Sequence, residues 1–352
     1  MNQEEHAYKI FQKMLKAHVY PSAMLLYGPE DYLIQWAVDE LTKELIHPSV
    51  AAMDAVIFSE GDASVSELIA ACETLPLFSA RRLVIVEDAD FFAGGKSRRY
   101  GPAEQSELAA YLRSMPESTM LLFKCAGVDK RTSAYKAIRE HGMALEFSPI
   151  SGQILKGFIQ KKLMTMGKTA SSQTIGSLIE RTGYGDKNSE YTLHHLMNDL
   201  IKAASYSLEP EIKSTDFEAV TTASPQSDVF QLLEAAFSGK KGLALKLFQN
   251  RLSGLLSSDA DREVFQLIAL LCSQLELMLI ARERLEAGQV ARELPGVMGV
   301  HPFRLRKAVE TAGSRSVVEL SDSLAAAYRL EKDIKSGLMP ADLAMELFIA
   351  MV

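Results

Sequence analysis

The feature that most constrains this chain is a rhythm in its first 150 residues, where short apolar runs alternate with helical patterns. Met24-Leu25-Leu26-Tyr27 reads as a buried strand. Gly28-Pro29-Glu30-Asp31 turns the chain, and Leu33, Ala37 and Leu41 then mark one face of a helix. Asp54 to Phe58 is a second strand. Ser64 and Glu67 are spaced as a capping box for the next helix, along which Val65, Leu68, Ile69 and Cys72 recur. Arg82 to Glu87 is a third strand, Met120 to Phe123 a fourth and Ala144 to Phe147 a fifth, with helices expected over Glu104 to Leu112 and Arg131 to His141. Strands that are apolar throughout and separated by helices predict a doubly wound, mostly parallel sheet.

After Ser148-Pro149 the rhythm stops, and no further strand is expected. Ile154, Phe158, Ile159 and Leu163 mark one amphipathic helix; Ile175, Leu178 and Ile179 a second; Leu193, Leu196, Met197, Leu200 and Ile201 a third. Ser224-Pro225-Gln226-Ser227-Asp228 reads as a linker and helix start, followed by about five helices, with Val264 to Ala281 apolar enough to lie buried among the others. The expected organisation is an α/β domain over 1–150, a small helical domain over 151–223 and a larger helical domain over 224–352. A length of 352 residues suits two or three domains.

Composition narrows the function classes. The chain is 47% hydrophobic and 24% charged, as globular proteins are, and no apolar run reaches the roughly 20 residues of a membrane helix. The acidic, polar start Met1-Asn2-Gln3-Glu4-Glu5 does not read as a signal peptide. Cys72, Cys125 and Cys272 stand far apart, which disfavours a disulfide framework or a cysteine zinc site and suits a reducing cytoplasm. A net charge of −7 argues against a protein that coats nucleic acid by itself. No GxSxG, HExxH or Cys/His pairing suggests a hydrolase, and the adjacent His194 and His195 point apart on a helix, so neither a metal nor a cofactor is expected.

A strand, Gly-Pro and a helix at the start of a parallel sheet is where a phosphate-binding loop, GxxxxGK[ST], would sit. Counting from Gly28, its second glycine falls on Leu33, its lysine on Ile34 and its Ser/Thr on Gln35. The ammonium for the β/γ-phosphates and the hydroxyl for Mg²⁺ are both missing. Glu87 and Asp88, at the end of the third strand, read as its wet end rather than as a metal site.

Several segments taken together resemble a family. Leu25-Leu26-Tyr27-Gly28-Pro29-Glu30-Asp31-Tyr32-Leu33, Thr74-Leu75-Pro76-Leu77-Phe78 followed by Arg81 to Val86, Gly299 to Arg304 and Glu331 to Gly337 resemble, in order and across nearly the whole chain, the delta subunits of bacterial DNA polymerase III clamp loaders. The resemblance implies an AAA+ architecture of α/β module, helical lid and C-terminal helical collar, with no working nucleotide site. Where related subunits carry an arginine finger, this chain has Asp129-Lys130-Arg131-Thr132-Ser133. The implied partners are the ring-shaped sliding clamp (beta), the delta prime and gamma/tau subunits through the collar, and primed DNA within the complex.

Pro76 breaks the helix before it, which leaves Leu75, Leu77 and Phe78 in a connecting turn where large apolar side chains are unusual. By themselves they could fold back onto the core. The resemblance implies instead that Leu75, Pro76, Leu77 and Phe78 enter a pocket on the clamp. Gly94 to Tyr100 holds Lys96, Arg98 and Arg99, a basic loop able to face a DNA backbone or simply solvent. A run of cations from Arg282 to Arg315, and His301-Pro302, read more readily as helix surface and helix start. The leading expectation is a clamp-opening subunit that hydrolyses no ATP. The rival is an active AAA+ ATPase of a related loader.

Overall fold

The computed structural model describes residues 5–352 except 60–63, 89, 95–99, 186–188, 190, 223–224, 255, 292, 299, 301 and 314. The chain gathers into two units, Met1–Ile150 and Ser151–Val352.

The first unit runs α1 (Ala7–Ala17), β1 (Ala23–Tyr27), α2 (Asp31–Leu45), α3 (Ala51–Asp54), β2 (Ala55–Phe58), α4 (Val65–Glu73), β3 (Arg82–Val86), α5 (Pro102–Tyr111), β4 (Thr119–Cys125), α6 (Ser133–His141) and β5 (Met143–Glu146). The five strands form one sheet in the order β2-β3-β4-β1-β5, every neighbouring pair parallel. Every residue of β1 and β3 is buried, as continuous apolar strands covered on both faces must be. Successive side chains leave opposite faces. Leu25, Tyr27, Val84, Val86, Leu121 and Phe123 pack with Leu68, Leu108 and Ile138 of α4, α5 and α6. Met24, Leu26, Leu83, Ile85 and Leu122 alternate with them and are buried as well. Helix α2 buries Leu33, Ile34, Ala37, Val38 and Leu41, and α1 joins it through Phe11 against Trp36, ring centroids 5.3 Å apart. This is the parallel-sheet α/β module expected from the rhythm. Two elements were not foreseen. Helix α1 lies in a segment read only for its polar start, and Asp54 closes α3 instead of opening β2.

The second unit runs α7 (Gly152–Thr165), β6 (Thr169–Ala170), α8 (Ser172–Thr182), α9 (Leu193–Tyr206), β7 (Glu211–Ile212), α10 (Ser214–Val220), α11 (Pro225–Phe237), α12 (Lys241–Leu252), α13 (Ser257–Glu286), α14 (Leu294–Met298), α15 (Pro302–Ala312), α16 (Val317–Lys335) and α17 (Ala341–Met351). The expectation of no strand here is corrected by a two-residue parallel pairing of β6 with β7. It is too short to show a period of two, and tertiary contacts set it: Lys168 Nζ donates to the carbonyls of Ser207 (2.7 Å) and Glu209 (2.8 Å). Seven helices follow residue 224 among those described, where about five were expected. Five-residue α14 is too short to show periodicity, and α11 and α12 are parted by a turn with Gly239 at φ +75°.

Among the described residues, one helix, α13, is long and apolar enough by composition to cross a membrane. Here it packs against α11, α15, α16 and α17. Val264, Leu267, Ile268, Leu271, Leu275 and Met278 sit in a shared apolar cluster with Leu305, Leu320, Phe348 and Ile349.

Candidate functional site

Helix α4 begins on the predicted capping box: Ser64 Oγ accepts the Glu67 amide at 3.2 Å, and Glu67 Oε2 accepts the Ser64 amide at 2.8 Å. Its buried stripe, Val65, Leu68 and Cys72, ties it to the sheet. Its other end is closed by side chains, because the last carbonyls of a helix have no partner within it. Thr74 Oγ1 donates to Ala70 O at 2.9 Å. The guanidinium of Arg82 donates through Nε to Ala71 O and through its terminal nitrogen to Met53 O, both at 2.9 Å. Thr119 Oγ1 donates to Cys72 O at 2.7 Å.

Beyond this end the chain turns outward. Leu75 and Leu77 are each 69% exposed and Phe78 is 68% exposed, while Pro76 is half-buried between them. The alternative in which these side chains fold back on the core does not hold in this structure. The turn is not loose, however. Three successive amides, Leu77, Phe78 and Ser79, donate to the carboxylate of Asp54 at 2.6, 2.9 and 2.6 Å. Asp54 is fully buried, and these amides, Leu77 foremost, hold its carboxyl down to about 2.

The β1–α2 turn is closed against the protein. Gly28 has φ +127°, and a Cβ there would lie 2.4 Å from the Phe147 carbonyl oxygen. The Glu30 amide donates to that same carbonyl at 3.1 Å. Leu33 and Ile34, at the glycine and lysine positions of a phosphate-binding loop, are buried helix residues. Gln35, at the Ser/Thr position, accepts a hydrogen bond from Lys124 Nζ of β4 at 2.9 Å and donates to Asp39 at 2.9 Å. Lys124 also lies 3.8 Å from the Asp31 carboxylate. At the end of β3, the Glu87 amide donates to Phe58 O at 2.9 Å, and Asp88 adopts a left-handed φ of 47°.

Among the described residues no group of three or more His, Cys, Asp or Glu side chains could hold a metal ion. His195 Nδ1 accepts the Thr192 amide at 3.0 Å and so caps α9. Arg131 pairs with Asp129 at 2.7 Å. Lys96, Arg98, Arg99 and His301 lie outside the described residues. Sequence reasoning missed Asp54, Arg82, Thr119 and Lys124. Asp54 reaches residues 23 to 25 positions away and Lys124 one 89 positions away, so no local spacing could have linked them.

Comparison with known proteins agrees with this architecture. The family model "DNA polymerase III, delta subunit" matches residues 24–148, and "DNA polymerase III delta subunit, C-terminal domain" matches residues 226–352. DNA polymerase III subunit delta of Bacillus subtilis is 24% identical over 345 residues, covering 97% of this chain and 95% of that protein. The solved DNA clamp loader delta protein of Bacillus subtilis superposes with a TM-score of 0.58 at 22% identity over 98% of both chains, a likeness of fold. The chain therefore belongs to the DNA polymerase III delta subunit family.

Proposed function

We propose that this chain binds the ring-shaped sliding clamp (beta) through Leu75, Pro76, Leu77 and Phe78, and favours the open ring during loading onto primed DNA, without hydrolysing ATP itself. One observation carries the reading: three large apolar side chains stand about two-thirds exposed on a turn whose backbone is hydrogen-bonded to a buried carboxylate. Folding normally hides such surface. An aromatic flanked by aliphatics, projecting from a firm base, suits insertion into a partner's pocket and is the usual anatomy of a binding hot spot. To open the clamp, the tip must bind the open ring more tightly than the closed one, since only differential affinity shifts an equilibrium.

The remaining assignments follow the family. The helices of 151–223 act as lid and those of 224–352 as collar, contacting the delta prime and gamma/tau subunits. The positive charge of Lys96, Arg98 and Arg99, read from the sequence and not from the family, suits contact with the DNA backbone inside the loader, and the assembly works in the cytoplasm. The closed β1–α2 turn supports a subunit that leaves hydrolysis to its neighbours.

The test is calorimetric titration of the sliding clamp with the full chain and its Leu77→Ala/Phe78→Ala variant. The variant is expected to lose roughly 2 kcal/mol or more of binding, about thirtyfold. Its melting temperature should be unchanged, because both side chains are exposed. Wild-type affinity in the variant would overturn the assignment.

A further inference from the structure

Leu77 and Phe78 could lower their exposed area by folding back, and nothing about their chemistry keeps them out. What keeps them out is their backbone. The amides of Leu77, Phe78 and Ser79 converge on the Asp54 carboxylate, which fixes the turn at three successive positions. The carboxylate is buried where α3 meets β2. The guanidinium of Arg82 donates instead to the carbonyls of Met53 and Ala71, and so braces the residue before Asp54 against the last turn of α4. Aligned amides make a concavity for negative charge and can satisfy a carboxylate without a cationic partner. The lowered carboxyl value agrees, since the anion is the form the amides favour.

We infer that Asp54 is the positioning residue of the tip: its carboxylate holds the turn in the binding-competent shape before the partner arrives. This rests on the reading of the tip as the clamp-binding element. Ordering a free backbone has an entropic cost for every residue, and a turn already ordered does not meet that cost again on binding. Affinity therefore depends on a buried side chain that the partner does not touch.

The experiment compares four full-length chains: wild type, Asp54→Asn, Leu77→Ala/Phe78→Ala and the triple variant. Each is titrated calorimetrically against the sliding clamp, and amide hydrogen exchange is followed in the free chain. Asp54→Asn is expected to weaken binding by about tenfold or more, from the ordering entropy of a few residues. Exchange at Leu77, Phe78 and Ser79 should quicken while amides of β3 and β4 stay as protected as before. The triple variant should bind no more than about twofold worse than the tip variant, because positioning matters only if there is a tip to position.

A merely structural Asp54 would lower the melting temperature of the two chains that carry Asp54→Asn and leave the affinity of the folded fraction alone. Wild-type affinity in Asp54→Asn, with loss in the tip variant, would overturn the inference and leave the clamp reading standing. Wild-type affinity in the tip variant would overturn both, so the two failures are distinguishable. Full additivity in the triple variant also counts against it. Should Asp54→Asn not fold, the wild type alone decides: strong protection of the Leu77, Phe78 and Ser79 amides supports a preorganised turn, and exchange at unprotected rates refutes it.

Discussion

Gln35 shows how much one residue decides. In a nucleotide-binding loop a hydroxyl at this place would hold Mg²⁺. Here the side-chain oxygen accepts from Lys124 Nζ at 2.9 Å, with the Asp31 carboxylate 3.8 Å from the same ammonium. A divalent cation entering the site would meet a positive charge where it needs an oxygen ligand, a repulsion that the half-buried setting strengthens. Titration with a fluorescent ATP analogue should accordingly show no Mg²⁺-dependent binding tighter than about 1 mM. Saturation in the micromolar range would overturn the non-hydrolysing reading and favour an active ATPase. The failed loop was legible in the sequence because its pattern is local: Leu33, Ile34 and Gln35 follow Gly28 within eight positions of chain. Lys124 was not, because the sheet register that brings β4 beside β1 is a property of the fold.

Helix α4 illustrates the same division at the scale of an element. Its start was legible, since Ser64 and Glu67 lie three residues apart. Its end was half legible. Pro76 announces a break, but the groups that complete the last turn come from Arg82 in β3 and Thr119 in β4. Thr119 is fully buried and its hydroxyl satisfies Cys72 O. Thr119→Val keeps the volume and removes the donor. It is expected to lower the unfolding free energy by about 1–3 kcal/mol, the usual result of leaving a buried acceptor unpaired. Urea denaturation measures this, and a change below about 0.3 kcal/mol would mean another donor takes over. Elements built on tertiary contact, such as β6 and β7, or too short for a period, such as α14, left no trace in the hydrophobic pattern.

Across the whole molecule, the titratable groups predict a window of stability. Amides at Leu77, Phe78 and Ser79 lower the Asp54 carboxyl to about 2, capping boxes at Ser64 and Ser316 lower those of Glu67 and Glu319, and Lys130 lowers that of Glu146. A carboxyl whose folded value lies below its unfolded value stabilises the fold at higher pH and loses that contribution as pH falls through the folded value. Stability should therefore decline as pH drops from about 4.5 toward 2. Asp228, raised by burial, works in the opposite direction and only softens the decline. On the alkaline side, burial pushes the thiols of Cys72 and Cys125 up to about 12 and that of Cys272 to about 11. Unfolded thiols ionise near pH 9 while the folded ones stay protonated, so stability falls again above that point. Melting temperatures between pH 3 and pH 10 should trace a dome, and a flat profile down to pH 3 would contradict the carboxylate assignments. The fold class was readable at this scale because the five-stranded sheet ends and helices dominate after Ser148-Pro149. The packing of the helices on one another was not, since helix faces specify that a side is buried and not what buries it.

Helix α13 also bears on how the chain is made. Its composition would suit a lipid interior, and it becomes compatible with water by packing against α11, α15, α16 and α17. Three of those four neighbours lie after it in the chain. On the ribosome, α13 emerges before them, and at about 5–20 residues per second it waits several seconds for cover. The sheet module has by then left the exit tunnel complete and free to fold. The vulnerable interval of biosynthesis therefore falls late, over the C-terminal helices. Truncation after Ala312 would leave α13 without α16 and α17, and a nascent chain stalled there would be a natural client for chaperones and proteases.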